Sequence, residues 1–279
     1  MRDIPAATVA DRVREMVLKA NTILGPDVEQ AFQTALAAEE NPSAKEVLSQ
    51  LLENAALARD TKLALCQDTG TAVFFVEMGE GCRITGDTLH NAVTTGMVQG
   101  YKEGFFRTSM CDPFTRKNTG DNTPAVIHVD LVAGEGLKIA YMAKGGGSEN
   151  MSRCTMLKPS QGWEGIKEFV IRRVAEAGPN PCPPTIVGLG IGGTFDQAPV
   201  LAKKALLRRL DQPHPDPEIA AKEQELLEAI NNLGIGPMGL GGKTTSLGVK
   251  INVAPCHIAS LPLAVNIQCH SSRHEEVEL

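Results

Sequence analysis

The spacing of apolar residues changes at Gly70, and that change constrains the fold more than any other feature of the chain. Before it, Val9, Val13, Met16, Val17, Ala20 and Leu24 recur at helical spacing, and Ser43-x-x-Glu46 ahead of Val47, Leu48, Leu51 and Leu52 reads as a capping box opening a second helix. After it come strand-like runs at 72–78, 125–133 and 136–143, the last two divided by Gly134-Glu135-Gly136 as a hairpin would be. The remainder alternates, with helices expected near 162–177, 198–210 and 217–232 and strands near 185–191, 247–253 and 262–268. This pattern predicts a mixed α/β (α+β) fold: a helical segment over 1–60, then a mixed sheet with flanking helices over 61–279, all in one domain. With 42% apolar residues in 279, such a domain has enough material for a sizeable core.

Composition excludes several classes of function. The formal charge of −6 has no basic block behind it, and eleven aromatic residues are too few for a base-stacking platform, so no nucleic acid is expected. Charged residues interrupt the apolar positions of the N-terminus, and no long uncharged run occurs, so neither a signal peptide nor a membrane span is expected and the chain reads as cytoplasmic. Seven cysteines, an odd number without framework spacing or any C-x-x-C, make disulfides the least expected use, and a metal site would have to be assembled from distant segments.

Three glycine-rich stretches invite a phosphate-binding reading. Gly188-Leu-Gly190-Ile-Gly-Gly193 satisfies G-x-G-x-x-G after an expected strand, with Asp211 near the distance of a ribose-binding acid, but it lies late in the chain without following βαβ units. The stretch 236–244 ends like a P-loop, yet Pro237 stands where the first glycine belongs. Lys144-Gly-Gly-Gly-Ser148 leaves a strand with every Cβ removed. It reads either as a flexible loop or as bare amides against which a carboxylate would lie.

Three of the cysteines stand where strand meets loop. Cys66 opens the polar turn Cys66-Gln67-Asp68-Thr69-Gly70, Cys182 lies in Pro181-Cys-Pro-Pro184, and Cys269 ends a strand ahead of His270-Ser-Ser-Arg273. Such positions converge at one edge of a sheet, although any one cysteine by itself is more simply core filler. Cys82, Cys111 and Cys154 have no such setting, and Cys256 is ambiguous because His257 follows it.

Together with Asn118-Thr-Gly120, Lys144-Gly-Gly-Gly-Ser148, Ile191-Gly-Gly-Thr194, Gly239-Leu-Gly-Gly-Lys243 and His257-Ile-Ala-Ser260, these segments run in order along nearly the whole chain. In this the chain resembles the α subunit of the two-subunit iron–sulfur hydro-lyases, class I fumarate hydratase and L-tartrate dehydratase. The resemblance implies a [4Fe-4S] cluster held by Cys66, Cys182 and Cys269, with one iron open to act as a Lewis acid. It also implies Asp68 and His257 as catalytic groups and Gln67, Arg107, Gly146 and Gly147 as substrate-binding groups for a C4 dicarboxylate. The reaction implied is hydration of fumarate to (S)-malate, with dehydration of L-tartrate to oxaloacetate as the alternative.

Single-chain members of that family continue well past the third cluster cysteine, whereas this sequence ends at Leu279. The base and further basic substrate ligands are therefore expected on a β subunit, in an α2β2 assembly or with the chain homo-oligomeric when alone. Readings from other classes are a non-catalytic iron–sulfur protein, against which the intact set Gln67, Asp68, Arg107 and His257 argues, and an NAD-dependent oxidoreductase built on Gly188 to Gly193.

Overall fold

The computed structural model describes all 279 residues. The fold is mixed α/β, as the periodicity predicts, and the chain divides into two compact units woven from separate segments. One comprises residues 1–25, 54–146 and 273–279, and the other residues 26–53 and 147–272.

The first unit contains helix α1 (Ala6–Thr22), strands β2 (Thr71–Gly79) and β3 (Cys82–Thr85), helix α4 (Leu89–Glu103), and strands β4 (Val126–Val132), β5 (Leu137–Lys144) and β10 (His274–Glu278). A short strand β1 (Arg2–Pro5) precedes α1 and pairs in parallel with β3, so the N-terminal segment is not wholly helical. The main sheet runs β10-β5-β2-β4. The expected hairpin of β4 and β5 does not form. β2 lies between them, parallel to β4 and antiparallel to β5. The reason is visible in β2 itself, where Ala72, Val73, Phe74, Phe75 and Val76 are all buried; a strand apolar on both faces belongs inside a sheet. Val9, Val13 and Val17 of α1 and Val93 and Met97 of α4 share one core with Phe74, Val76, Ile139 and Tyr141 of the sheet.

The second unit holds helix α2 (Pro26–Ala38), the first part of α3 (Pro42–Thr61), α5 (Gly146–Asn150) from its second residue, strand β6 (Arg153–Leu157), α6 (Gly162–Ala177), β7 (Thr185–Gly192), α7 (Gln197–Ala205), α8 (Pro217–Asn231), β8 (Ser246–Ala254) and β9 (Leu261–Gln268). Helix α3 is capped one step earlier than the capping box suggests. Asn41 Oδ1 accepts the Ser43 N–H at 2.9 Å, Pro42 opens the helix, and Ser43 lies within it. Helix α7 stops at Ala205, short of the expected 210.

The sheet of this unit runs β6-β9-β7-β8, with β7 parallel to β8 and antiparallel to β9. Val187 and Leu189 of β7 share a core with Val170 and Val174 of α6 and Leu226 and Ile230 of α8. The alternate residues, Gly188 and Gly190, face α7. A Cβ on Gly188 would sit 2.2 Å from Ala202 O, and one on Gly190 2.0 Å from Ala198 O. The dinucleotide-like glycines are thus packing positions that let a helix backbone lie directly on the strand.

Candidate functional site

The turn at residues 66–70 links α3 to β2 and is held from three sides within the first unit. Gly70 has φ +71°, and a Cβ there would lie 2.5 Å from Lys144 O, so only glycine fits. Asp68 closes the turn: its Oδ1 accepts the Gly70 N–H at 3.0 Å and its Oδ2 accepts the Gly146 N–H at 2.7 Å. Gln67 is exposed and Cys66 is half-buried. Thr69, buried, donates its hydroxyl to the Arg107 carbonyl at 2.8 Å, and the Arg107 side chain is exposed. Four of the sequence-predicted residues, Asp68, Gly146, Arg107 and Gln67, are therefore joined by one turn and its two anchors. One expectation changes: the Gly146 N–H is engaged by Asp68 itself.

Residues that motif reading passed over build this support. Asn122 is fully buried, accepts the Ser109 and Met110 N–H groups on Oδ1 at 2.7 and 3.2 Å, and donates to Gly70 O at 3.1 Å. The Tyr101 hydroxyl lies 2.8 Å from Thr69 O and 3.1 Å from Gly70 O. Burial above all pushes the Tyr101 phenol well above its usual range and raises that of Tyr141, so both hydroxyls keep their protons. Neither tyrosine carries a spacing signal. A chain with only two tyrosines, both placed where buried backbone carbonyls need donors, offered composition as its only hint.

In the second unit two cysteines share one end of the sheet. Cys182 lies just before β7 and Cys269 just after β9, and the register pairs Ile186 with Gln268. The backbone joins them, His270 N–H donating to Cys182 O at 3.3 Å. Cys182 is exposed and held at φ +57°, a conformation uncommon outside glycine, while Cys269 is buried with its thiol 3.2 Å from Ser271 Oγ. Gly147 belongs to this unit, and a Cβ on it would lie 3.1 Å from Asn180 O.

His257 is not with these cysteines. It lies in the loop between β8 and β9, beside the C-terminal end of β7, where Gly192 pairs with Ala254. The eight residues of β9 separate that loop from Cys269, about 25 Å at a strand rise of ~3.3 Å per residue. Its ring Nδ1 accepts the Ala259 N–H at 3.1 Å. The expectation that His257 works beside the cluster cysteines of its own chain is corrected by strand direction: antiparallel β9 carries its two flanking loops to opposite ends of the sheet.

No three His, Cys, Asp or Glu side chains are gathered to grip a single metal ion. A cluster several ångströms across asks for more widely spread donors, and the donor set fits one in chemistry: three thiols, each in a loop at an element end, two of them at one sheet end. The P-loop-like stretch is likewise accounted for. Lys243 donates its N–H to Glu39 Oε2 at 2.7 Å and its ammonium to Glu40 at 2.6 Å, a carboxylate-held turn in place of a phosphate cradle.

Comparison with known proteins agrees with the motif order. The family model described as fumarate hydratase (Fumerase) matches residues 10–278. A putative L(+)-tartrate dehydratase subunit alpha of Methanocaldococcus jannaschii is 43% identical over 271 residues, covering 95% of each chain. The L(+)-tartrate dehydratase subunit alpha of Escherichia coli strain K12 is 32% identical over 257 residues, covering 91% of this chain and 84% of that one. The chain belongs to the fumarate hydratase (Fumerase) family, among the α subunits of its hydro-lyases.

Proposed function

We propose that this chain is the α subunit of a hydro-lyase that reversibly adds water to a C4 dicarboxylate, fumarate to (S)-malate. The observation that carries the reading is the double anchoring of Asp68 by Gly70 N–H and Gly146 N–H, one turn away from Cys66 and tied through Thr69 to Arg107. Each Asp68 oxygen accepts one N–H and keeps a lone pair for a further proton, so the group is fixed in position while free to exchange a proton with the substrate hydroxyl. Arg107, exposed, presents a forked donor suited to one substrate carboxylate. Gln67, exposed beside it, and the Gly147 amide offer further hydrogen bonds to substrate oxygens.

When bound by Cys66, Cys182 and Cys269, a [4Fe-4S] cluster would supply an open iron as Lewis acid for the departing hydroxyl. Thiol ligation of that kind suits a reducing cytoplasm, and no helix is long and apolar enough to cross a membrane. The relatives' designation as subunit alpha supports a β partner, to which we assign the base at the acidic C–H and the second carboxylate grip. The same relatives favour L-tartrate as a second reading, since the two substrates share both carboxylates and the leaving hydroxyl. The proposal assigns no step to His257 of the same chain.

The test is anaerobic co-expression with a β subunit, followed by assays with fumarate, (S)-malate and L-tartrate in parallel. Turnover of fumarate and malate above tartrate supports the first reading, and the reverse supports the second. Indifference to all three would sink both.

A further inference from the structure

Arg273 is 1% exposed, one of the most deeply buried charged side chains in the protein. Its Nη1 donates to Asn21 Oδ1 at 3.4 Å, while Nε and Nη2 have no hydrogen-bonding partner. Asn21, fully buried, has its orientation fixed independently, because its amide NH2 donates to the Val17 carbonyl at 2.9 Å. The second hydrogen of that NH2 goes to the Tyr141 hydroxyl at 3.0 Å. Tyr141 and Tyr101 hydroxyls are 3.4 Å apart, and Tyr101 reaches Thr69 O at 2.8 Å.

A guanidinium only donates. With Asn21 turned by Val17, the donor order along this chain has one sense: Arg273 to Asn21, Asn21 to Tyr141, Tyr141 to Tyr101, Tyr101 to the Thr69 carbonyl. Each link frees the next hydroxyl's proton to point onward, and a cation at the head polarises every bond after it in the same direction. The far end of the chain is the backbone between Asp68 and Gly70.

Arg273 also approaches the turn from its other side. A Cβ built on Gly145 would lie 3.2 Å from Asp68 Oδ2 and 3.7 Å from Arg273 Nη2, so the space left by the missing side chain is flanked by the carboxylate and by an unused guanidinium nitrogen. All of these residues belong to the first unit.

We propose that Arg273 is a positioning residue for the candidate active site, holding the 66–70 turn and the Asp68 carboxylate through a one-directional chain of Asn21, Tyr141 and Tyr101. Its activity readout rests on the hydro-lyase reading above, whereas its structural readout does not.

The experiment compares wild type, Tyr141→Phe, Arg273→Lys and Arg273→Met in the anaerobically prepared full-length chain with its β subunit. Hydrogen exchange of the peptide covering 66–72 is followed alongside that of 137–144, together with kcat and KM. Expected is about tenfold faster exchange at 66–72 in Tyr141→Phe with 137–144 within twofold, kcat down about tenfold with KM little changed, and a graded loss in which Lys at 273 retains more activity than Met. Equal acceleration of both peptides, or exchange at 66–72 unchanged in Tyr141→Phe, would overturn the proposal. Should Arg273→Met fail to fold, Tyr141→Phe, which keeps the ring, decides by itself. If wild type turns over none of the dicarboxylates, the functional reading fails while the exchange result still decides this one.

Discussion

The hydroxyl of Thr69 donates to the backbone carbonyl of Arg107 at 2.8 Å, joining the turn that carries Cys66 and Asp68 to the loop that carries the exposed arginine. A buried threonine thereby couples the spacing of a proton-exchanging carboxylate to that of a carboxylate-binding guanidinium. Neither group needs to touch the other for a change at Thr69 to be felt at both.

Thr69→Val keeps the shape of the side chain and removes the donor. It should cost about 1 kcal/mol of stability. In the assembled enzyme it should raise KM for the dicarboxylate about tenfold while lowering kcat less, because the loosened Arg107 loop grips ground and transition states alike. Steady-state kinetics and a denaturant titration check both.

Gly70→Ala places a side chain at φ +71° and 2.5 Å from Lys144 O. The left-handed backbone alone costs about 1 kcal/mol for alanine, and the contact adds to it. A loss of more than about 2 kcal/mol is expected from the denaturant midpoint. Wild-type stability in this variant would show that the turn does not hold the conformation described.

Replacing Cys66, Cys182 or Cys269 by serine, one at a time, should lower the iron and sulfide bound per chain after anaerobic preparation. Cys82→Ala should leave both unchanged and instead reduce stability by about 1 kcal/mol, since Cys82 is 6% exposed within the first unit's core. Iron and acid-labile sulfide analysis separates the two behaviours.

Glu39 offers a pH test away from the site. Burial pushes its carboxyl up, but N–H groups of Asn41, Lys243 and Glu40 together outweigh burial and hold it below the ordinary 4.5. A folded-state value below the unfolded one means the unfolded chain binds the proton more readily. The stability it contributes is thus complete above pH 4.5 and is lost as pH falls through the folded-state value. Glu39→Gln should flatten that acid limb, read as a shallower dependence of the melting temperature on pH below 4.5.

The sequence by itself determined which faces are buried and where the chemistry-bearing loops fall. Helical spacing found α1, a run apolar on both faces found β2, and the cysteine-bearing turns at 66, 182 and 269 lie at element ends as their flanking residues require. These are local properties, set by the 3.6- and 2-residue periods and by turn chemistry.

Tertiary structure decided what lies beside what. Insertion of β2 between β4 and β5 depends on pairing between distant segments, which no periodicity within a strand reports. The direction of β9 sends Cys269 to the end of the sheet shared with Cys182 and His257 to the other, although all three follow one another within strand-and-loop distance in sequence space or register. Arg273, four residues past Cys269, reads in sequence as one more polar residue after a strand. Only the packing of α1 and α4 against β5 buries it with Asn21, Tyr101 and Tyr141, because a charge is retained in a core where partners from three separate segments meet it.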